Sequence, residues 1–246
     1  MSNKLKAVLE EDMKMNSPQK IARVAAFVFL IIFFLGMSTE LFIRPGMIVP
    51  GDAAATVKNI AASESLFRLS LVSDLIRLMF LMLLPLVLYK LLKPVNKNIA
   101  SLMVIFALVS VPISMLNELN HFAVLLLSSG AGYLTAFKAD QLNTLVMFFL
   151  ELRKYGTFIP QVFSLWVLLL GYLVFKSGFL PRILGILLML VSLCYTVSAV
   201  LFFLFPNFDA TILGLFAFIG ESIFYLWLLI KGVNVKEWEK RVLETA

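Results

Sequence analysis

The sequence predicts an all-α integral membrane protein, a bundle of six transmembrane helices, on three observations. Hydrophobic residues make up 61% of the 246-residue chain, above the roughly 45–50% of soluble domains, and the mean hydropathy is +0.96. They gather into runs without formal charge, such as the 23 residues of 183–205, where a helix needs about 20 to cross the hydrocarbon layer. Basic residues collect between the runs, as in cytoplasmic loops, so the net charge of +6 is no sign of a nucleic-acid partner.

Six spans are expected at 21–43, 66–92, 99–127, 157–176, 183–205 and 211–231. They form one transmembrane domain over 21–234, between cytoplasmic segments 1–20 and 235–246. The first run follows Lys14, Lys20 and Arg23 as a signal sequence would, but it continues through Phe42 without an A-x-A site. Signal cores run only about 7–15 residues, so this run is read as a retained span. After it comes "RPGMIVPGDAAATVKNIAASES", where Asp52 is placed to cap a short Ala-rich helix and Ser63 or Ser65 to cap span two.

Span two ends at "KLLKPVNKN" with Pro94, and "KSGFLPR" links spans four and five, with Gly178 as helix stop and Pro181 opening the next helix. The segment 140–155, "DQLNTLVMFFLELRKY", has a helical pattern but would be only about 24 Å long. Continued without a break to Lys176 it would reach about 55 Å, too long for one crossing. Gly156 and Pro160 offer the break, giving a short outer helix, amphipathic or partly re-entrant, before span four. A seventh crossing is the alternative, and it would move Lys176 and Arg182 outside. With a cytoplasmic N-terminus, the inner segments hold 14 of the 21 Lys and Arg residues, which places both termini on the cytoplasmic side of a cell membrane. Cys194 is the single cysteine, so the chain has no intramolecular disulfide and no cysteine zinc site.

The polar residues inside the spans mark the candidate site. "SMLNELNHFAVLLL" carries the single histidine, and Ser110, Ser114, Asn117 and His121 recur at i, i+4, i+7 and i+11, one stripe of a helix bordered by Glu118. Asp74 and Arg77, three residues apart on span two, are spaced to pair. Glu221 interrupts the apolar "LGLFAFIGESIFYLWLLI", with Tyr225 one turn on, and span four adds Gln161. Charged groups facing lipid are costly, so these side chains should turn inward. Ligand-binding candidates are therefore Asp74, Arg77, Asn117, Glu118, His121, Gln161, Glu221 and Tyr225. One histidine excludes a multi-histidine metal site, and no phosphate-loop, dinucleotide or nucleophile-elbow motif is present. No metal and no cofactor is expected.

"GDAAATVKNIAASESLFRLSLVSDLI", "LYKLLKPVN", "NHF", "GYLVFKSGFLPRILGILL" and "GESIFYLWLLIKGVN" resemble, in order and over nearly the whole of 21–234, the domain-of-unknown-function 4386 family of prokaryotic multi-pass membrane proteins. The resemblance implies a one-domain integral membrane protein and brings no catalytic or binding residue with it.

The leading functional expectation is a noncatalytic protein that binds or transports a small molecule, a lipid headgroup or a proton through a polar cavity open to the outer face, with membrane lipids as its surroundings. An intramembrane enzyme using Glu221, or Glu118 with His121, as acid or base on a lipid-like substrate is the alternative. A structural or regulatory membrane partner is a third. The sequence carries no signal for an oligomeric state.

Overall fold

The structure, a computed structural model, describes residues 17–205, 209 and 211–245; Lys4, Lys6 and Lys14, which contribute to the expected basic N-terminal segment, lie outside them. Every regular element among the described residues is helical. Helix α1 spans Pro18–Met37 and runs on through a π-helical turn at Ser38–Ile43. It is followed by α2 at Ala53–Ala62, α3 at Glu64–Leu92 and α4 at Lys97–Leu127. A 3-10 turn at Gly132–Ala136 leads to α5 at Ala139–Gly156, and a second at Pro160–Ser164 to α6 at Leu165–Ser177. Then come α7 at Arg182–Leu204, α8 at Thr211–Ile230 and α9 at Val235–Thr245.

Among the described residues, six stretches are long and apolar enough to cross a membrane: Pro18–Ile43, Glu64–Leu92, Lys97–Leu127, Ala139–Ser177, Arg182–Leu204 and Thr211–Ile230. The chain is a multi-pass all-α membrane protein. The protein itself buries only 28–33% of each stretch's most apolar window, and Phe42 and Ile212 remain 78% and 79% exposed. Such a surface would aggregate in water; in hydrocarbon it matches its solvent.

Local chemistry accounts for the element ends. The Asp52 carboxylate accepts from the Ala55 backbone N–H at 2.8 Å and caps α2. For α3, the Ser63 backbone carbonyl accepts from Leu66 and Phe67. Gly178 stops α6 with φ at +78°, a left-handed conformation other residues resist. Pro181 then precedes α7 with extended backbone. The 39 residues of Ala139–Ser177 are not one continuous helix. α5 ends at Gly156, and Pro160, which has no N–H to donate, opens the 3-10 turn that precedes α6.

The chain forms two compact units. The first comprises Leu30–Leu81 and Val109–Gln161, the second Met82–Leu108 with the described residues of 1–29 and 162–246. The first unit buries Met47, Ile60, Phe67, Val124, Val146 and Leu150 in one apolar cluster. The second packs α6 on α7 where Gly171 meets Gly185: a Cβ on Gly185 would lie 2.6 Å from the Gly171 carbonyl oxygen and from the Phe175 amide nitrogen. Small residues allow this close approach, which in lipid supplies the packing that water expulsion supplies elsewhere. In the same unit Phe29 stacks on Tyr225 with ring centroids 4.0 Å apart, and the Trp238 indole N–H donates to the Leu91 carbonyl at 2.9 Å, tying α9 to the end of α3.

Gly185→Ala is expected to lower stability by about 1–3 kcal/mol, because the obstructing atoms are backbone and cannot rotate away. Gly214→Ala, with nothing within 4 Å of the new methyl, should show no loss. Thermal unfolding in detergent compares the two; equal behaviour would remove the close contact as a determinant of the α6–α7 packing.

Candidate functional site

The first unit holds a cluster of charge inside membrane-spanning helices. Asp74 on α3 and Glu118 on α4 are 2% and 5% exposed, and Arg153 on α5 is 8% exposed. The Arg153 guanidinium joins the two carboxylates. Its Nη2 donates to Asp74 Oδ2 at 2.9 Å and to Glu118 Oε1 at 3.1 Å, while its Nε donates to Glu118 Oε2 at 3.2 Å. The Glu118 contact is bidentate, the strongest form of this pairing.

Two more guanidiniums reach Asp74. Arg44 follows the π turn, with its N–H bonded to the Thr39 carbonyl, and places Nη2 2.5 Å from Asp74 Oδ2. It also ion-pairs with Glu40, whose side chain is largely exposed. Burial, and after it the neighbouring Arg153 charge, lowers Arg44 to about 10, which leaves it protonated at pH 7. Arg77 is looser: a single 3.4 Å contact runs from its Nε to Asp74 Oδ1, and 28% of its side chain is exposed.

His121 extends the network. Its Nδ1 lies 3.3 Å from Glu118 Oε2, its Nε2 3.3 Å from Ser70 Oγ, and its ring meets Phe67 edge-on at 4.4 Å. A carboxylate bound by arginine only accepts, so Nδ1 carries a proton. The Ser70 hydroxyl has one proton and two acceptors in reach, Nε2 and the Phe67 carbonyl at 2.7 Å. One choice leaves the ring neutral; the other makes it an imidazolium.

The position of Arg153 is set by its helix. Val146, Leu150 and Arg153 are all buried on α5, and their i, i+4, i+7 spacing is one helical face. The Asn117 amide donates to the Arg153 carbonyl at 2.9 Å and accepts from Asn120 at 3.1 Å. Gly156 makes room for that amide: a Cβ there would collide with the Asn117 side chain.

Among the eight sequence candidates, Asp74, Arg77, Asn117, Glu118 and His121 come together here. Gln161 belongs to the same unit, and its buried Oε1 has no partner among the described residues. Glu221 and Tyr225 belong to the second unit. There Glu221 accepts from the Tyr195 hydroxyl at 3.0 Å, and the buried Tyr225 hydroxyl has no partner among the described residues. Arg44, Ser70 and Arg153 are cluster members the sequence reading did not single out. The α5 stripe was the available signal for Arg153.

Residues 24–232 match the family described as Domain of unknown function (DUF4386). The chain belongs to that family. It is also similar to an uncharacterized protein of Archaeoglobus fulgidus, 33% identical over 150 residues that cover 61% of this chain and 75% of the archaeal one. No solved structure matches it.

Two chemistries can be weighed on the geometry of this DUF4386 member. Ser70, His121 and Glu118 are connected in the order of a nucleophile, base and acid. However, Ser70 is fully buried, and it lies inside α3, where backbone N–H groups are taken up by helical bonds and cannot form an oxyanion hole. Donor atoms of Asp74, Glu118 and His121 also lie within 4.8 Å of one another, close enough to share a metal ion. Arginine already engages both carboxylates, and a cation placed there would face Arg153 at contact range, so this donor set does not fit one.

Arg153→Met should cost about 3–5 kcal/mol, since it leaves Glu118 without its bidentate partner in a buried setting. Arg153→Met with Glu118→Gln should recover much of that loss. Arg77→Leu should cost far less than Arg153→Met, because Asp74 keeps two guanidiniums. Thermal unfolding in detergent ranks the three variants; equal losses for Arg77→Leu and Arg153→Met would contradict the assignment of Arg153 as the central ion.

Proposed function

We propose that this chain is a noncatalytic membrane protein that binds or carries a small anion or an anionic headgroup at Arg77. The observation that carries the reading is the under-use of that guanidinium. It has five N–H donors, and among the described residues its one hydrogen bond is the 3.4 Å contact to Asp74. Asp74 already accepts from Arg44 and Arg153, so a second anion beside Arg77 would not compete with its own partner. Arginine is suited to such a ligand because its fork matches carboxylate and phosphate. Glu118 supports the noncatalytic reading, since both its oxygens are committed to Arg153 and one also to His121. Neither is free to abstract a proton.

We also infer that both termini face the cytoplasm of a cell membrane. The basic ends of the spans support one shared side. The Gln19 side chain donates to the Lys231 carbonyl and accepts from the Val233 amide, Asn234 N–H donates to the Phe179 carbonyl, and Arg241 donates to the Lys176 carbonyl. Span ends at Gln19, Lys176 and Lys231 therefore lie within one unit, together with nine basic residues between Lys90 and Arg241, and lysine and arginine favour the inner side.

Purified into nanodiscs with native lipids, the wild-type protein is expected to show nonprotein density against the Arg77 guanidinium, and Arg77→Gln to lack it. Succinate, a dianion without a phosphate group, should raise the thermal midpoint of the wild type and leave Arg77→Gln unmoved. Absent density together with identical responses of the two proteins would overturn the assignment.

For topology, single cysteines in a Cys194→Ala background give the test. Lys58→Cys should label in intact cells with an impermeant maleimide, and Lys97→Cys only after permeabilisation. Both lysines are exposed, so the reverse pattern would invert the orientation.

A further inference from the structure

A second, separate site lies in the other unit, where α6, α7 and α9 meet. A cavity of about 410 Å3 is lined by Lys176, Arg182, Lys240 and Arg241, with Glu237 and Glu244 and the turn around Gly178. That volume falls within the roughly 300–1,000 Å3 of small-ligand sites. Four basic side chains against two acidic ones make the lining cationic. Glu244 is already paired with Arg241 at 3.3 Å.

The basic groups differ in how they are held. Arg182 lies over the Phe175 ring, its central carbon 5.9 Å from the centroid, a stacking that restrains the guanidinium. Arg241 donates through Nη2 to the Lys176 carbonyl at 3.1 Å, but its shielded Nε–H has no partner among the described residues. A shielded donor left unpaired is unfavourable and calls for an acceptor. Among the described residues the Lys176 and Lys240 side chains make no hydrogen bond or ion pair, and both residues are exposed. Arg182 also opens the 23-residue α7, whose first turn presents the positive end of the helix dipole.

Position adds a further constraint. Lys176 and Arg182 are at the ends of two membrane spans, so the cavity lies where hydrocarbon gives way to headgroups. Basic clusters at this boundary attract phosphate-bearing lipids. We propose that this pocket binds a phosphate group, held by Arg182 and Arg241 and drawn in by Lys176 and Lys240. Its source is either the headgroup of an anionic phospholipid or a free phosphate.

The full-length protein in dodecyl maltoside provides the test, read as thermal midpoint against added ligand. Phosphatidylglycerol is compared with diacylglycerol, which has acyl chains and no phosphate, and inorganic phosphate with chloride at matched ionic strength. A rise with phosphatidylglycerol alone supports the proposal with a lipid as the source, and a rise with inorganic phosphate supports it with the free anion. The double variant Lys176→Gln, Lys240→Gln should bind about tenfold more weakly, and Lys176→Arg, Lys240→Arg should bind as the wild type does. Neither lysine side chain has a partner among the described residues, and matching circular dichroism will confirm that the variants remain folded. Arg77→Gln should leave this apparent affinity unchanged, which separates the pocket from the site proposed above. No rise with either ligand, or the same affinity in the double glutamine variant, would overturn the proposal.

Discussion

A guanidinium cannot shed its charge to escape a medium without water, so an arginine buried among membrane spans must be matched by anions held in place. Arg153 meets that requirement with Asp74 and Glu118, from two different helices. The three bonds link α3, α4 and α5 through one group, and much of the first unit is arranged to preserve them. Asn117 holds the Arg153 carbonyl, Gly156 leaves space for Asn117, and His121 occupies the second lone pair of Glu118 Oε2. Val146 and Leu150 embed the same face of α5 in apolar side chains. Breaking one partner leaves a charge uncompensated, whereas exchanging the set for apolar residues need not destabilise the fold. The cluster is thus evidence of specificity in how α5 docks more than evidence of stability.

The spans were legible because lipid demands long apolar runs, and composition alone reports them. The short features were legible where one residue type has one local role: Asp52 as a cap, Gly178 as a stop, and the pair Gly156 and Pro160 as a break. The stripe on α4 was legible for the same reason, since helical periodicity puts Glu118 and His121 side by side. Arg153 was not singled out because "ELRKY" reads as a solvated helix end, where arginine beside lysine is ordinary. Arg44 reads as a loop residue just beyond a span. Which cation meets which carboxylate depends on how helices rotate against one another, and hydropathy carries no angular information between helices. Glu221 is expected to turn inward along with Asp74; its hydrogen bond is to Tyr195, within the second unit.

The lysine and arginine residues divide by function along the same physical lines. Those at span ends, such as Lys176 and Arg182 beside the cationic pocket, keep their charged heads near water. Their individual identities matter less than their number and their closeness to the headgroups. In the buried cluster the rule reverses: each arginine there is defined by the particular oxygens it touches.

Within the buried cluster the three arginines are not equivalent, and the difference lies in the partners rather than in the residue. Arg153 has one carboxylate bound through two nitrogens and a second through one; Arg44 divides its charge between Asp74 and the exposed Glu40. Arg77 shares with both of them an Asp74 already engaged twice, and it does so at the longest distance of the three. It is also bounded by Gly36, where an added methyl would approach the Arg77 Cδ to 3.3 Å, so the glycine keeps the space beside its aliphatic stem open. A charge network whose only purpose was to dock helices would gain little from a third guanidinium on one carboxylate. A network that also receives an anion needs such a group: anchored at one nitrogen, exposed over a quarter of its side chain, and relieved by its neighbours of the task of neutralising Asp74.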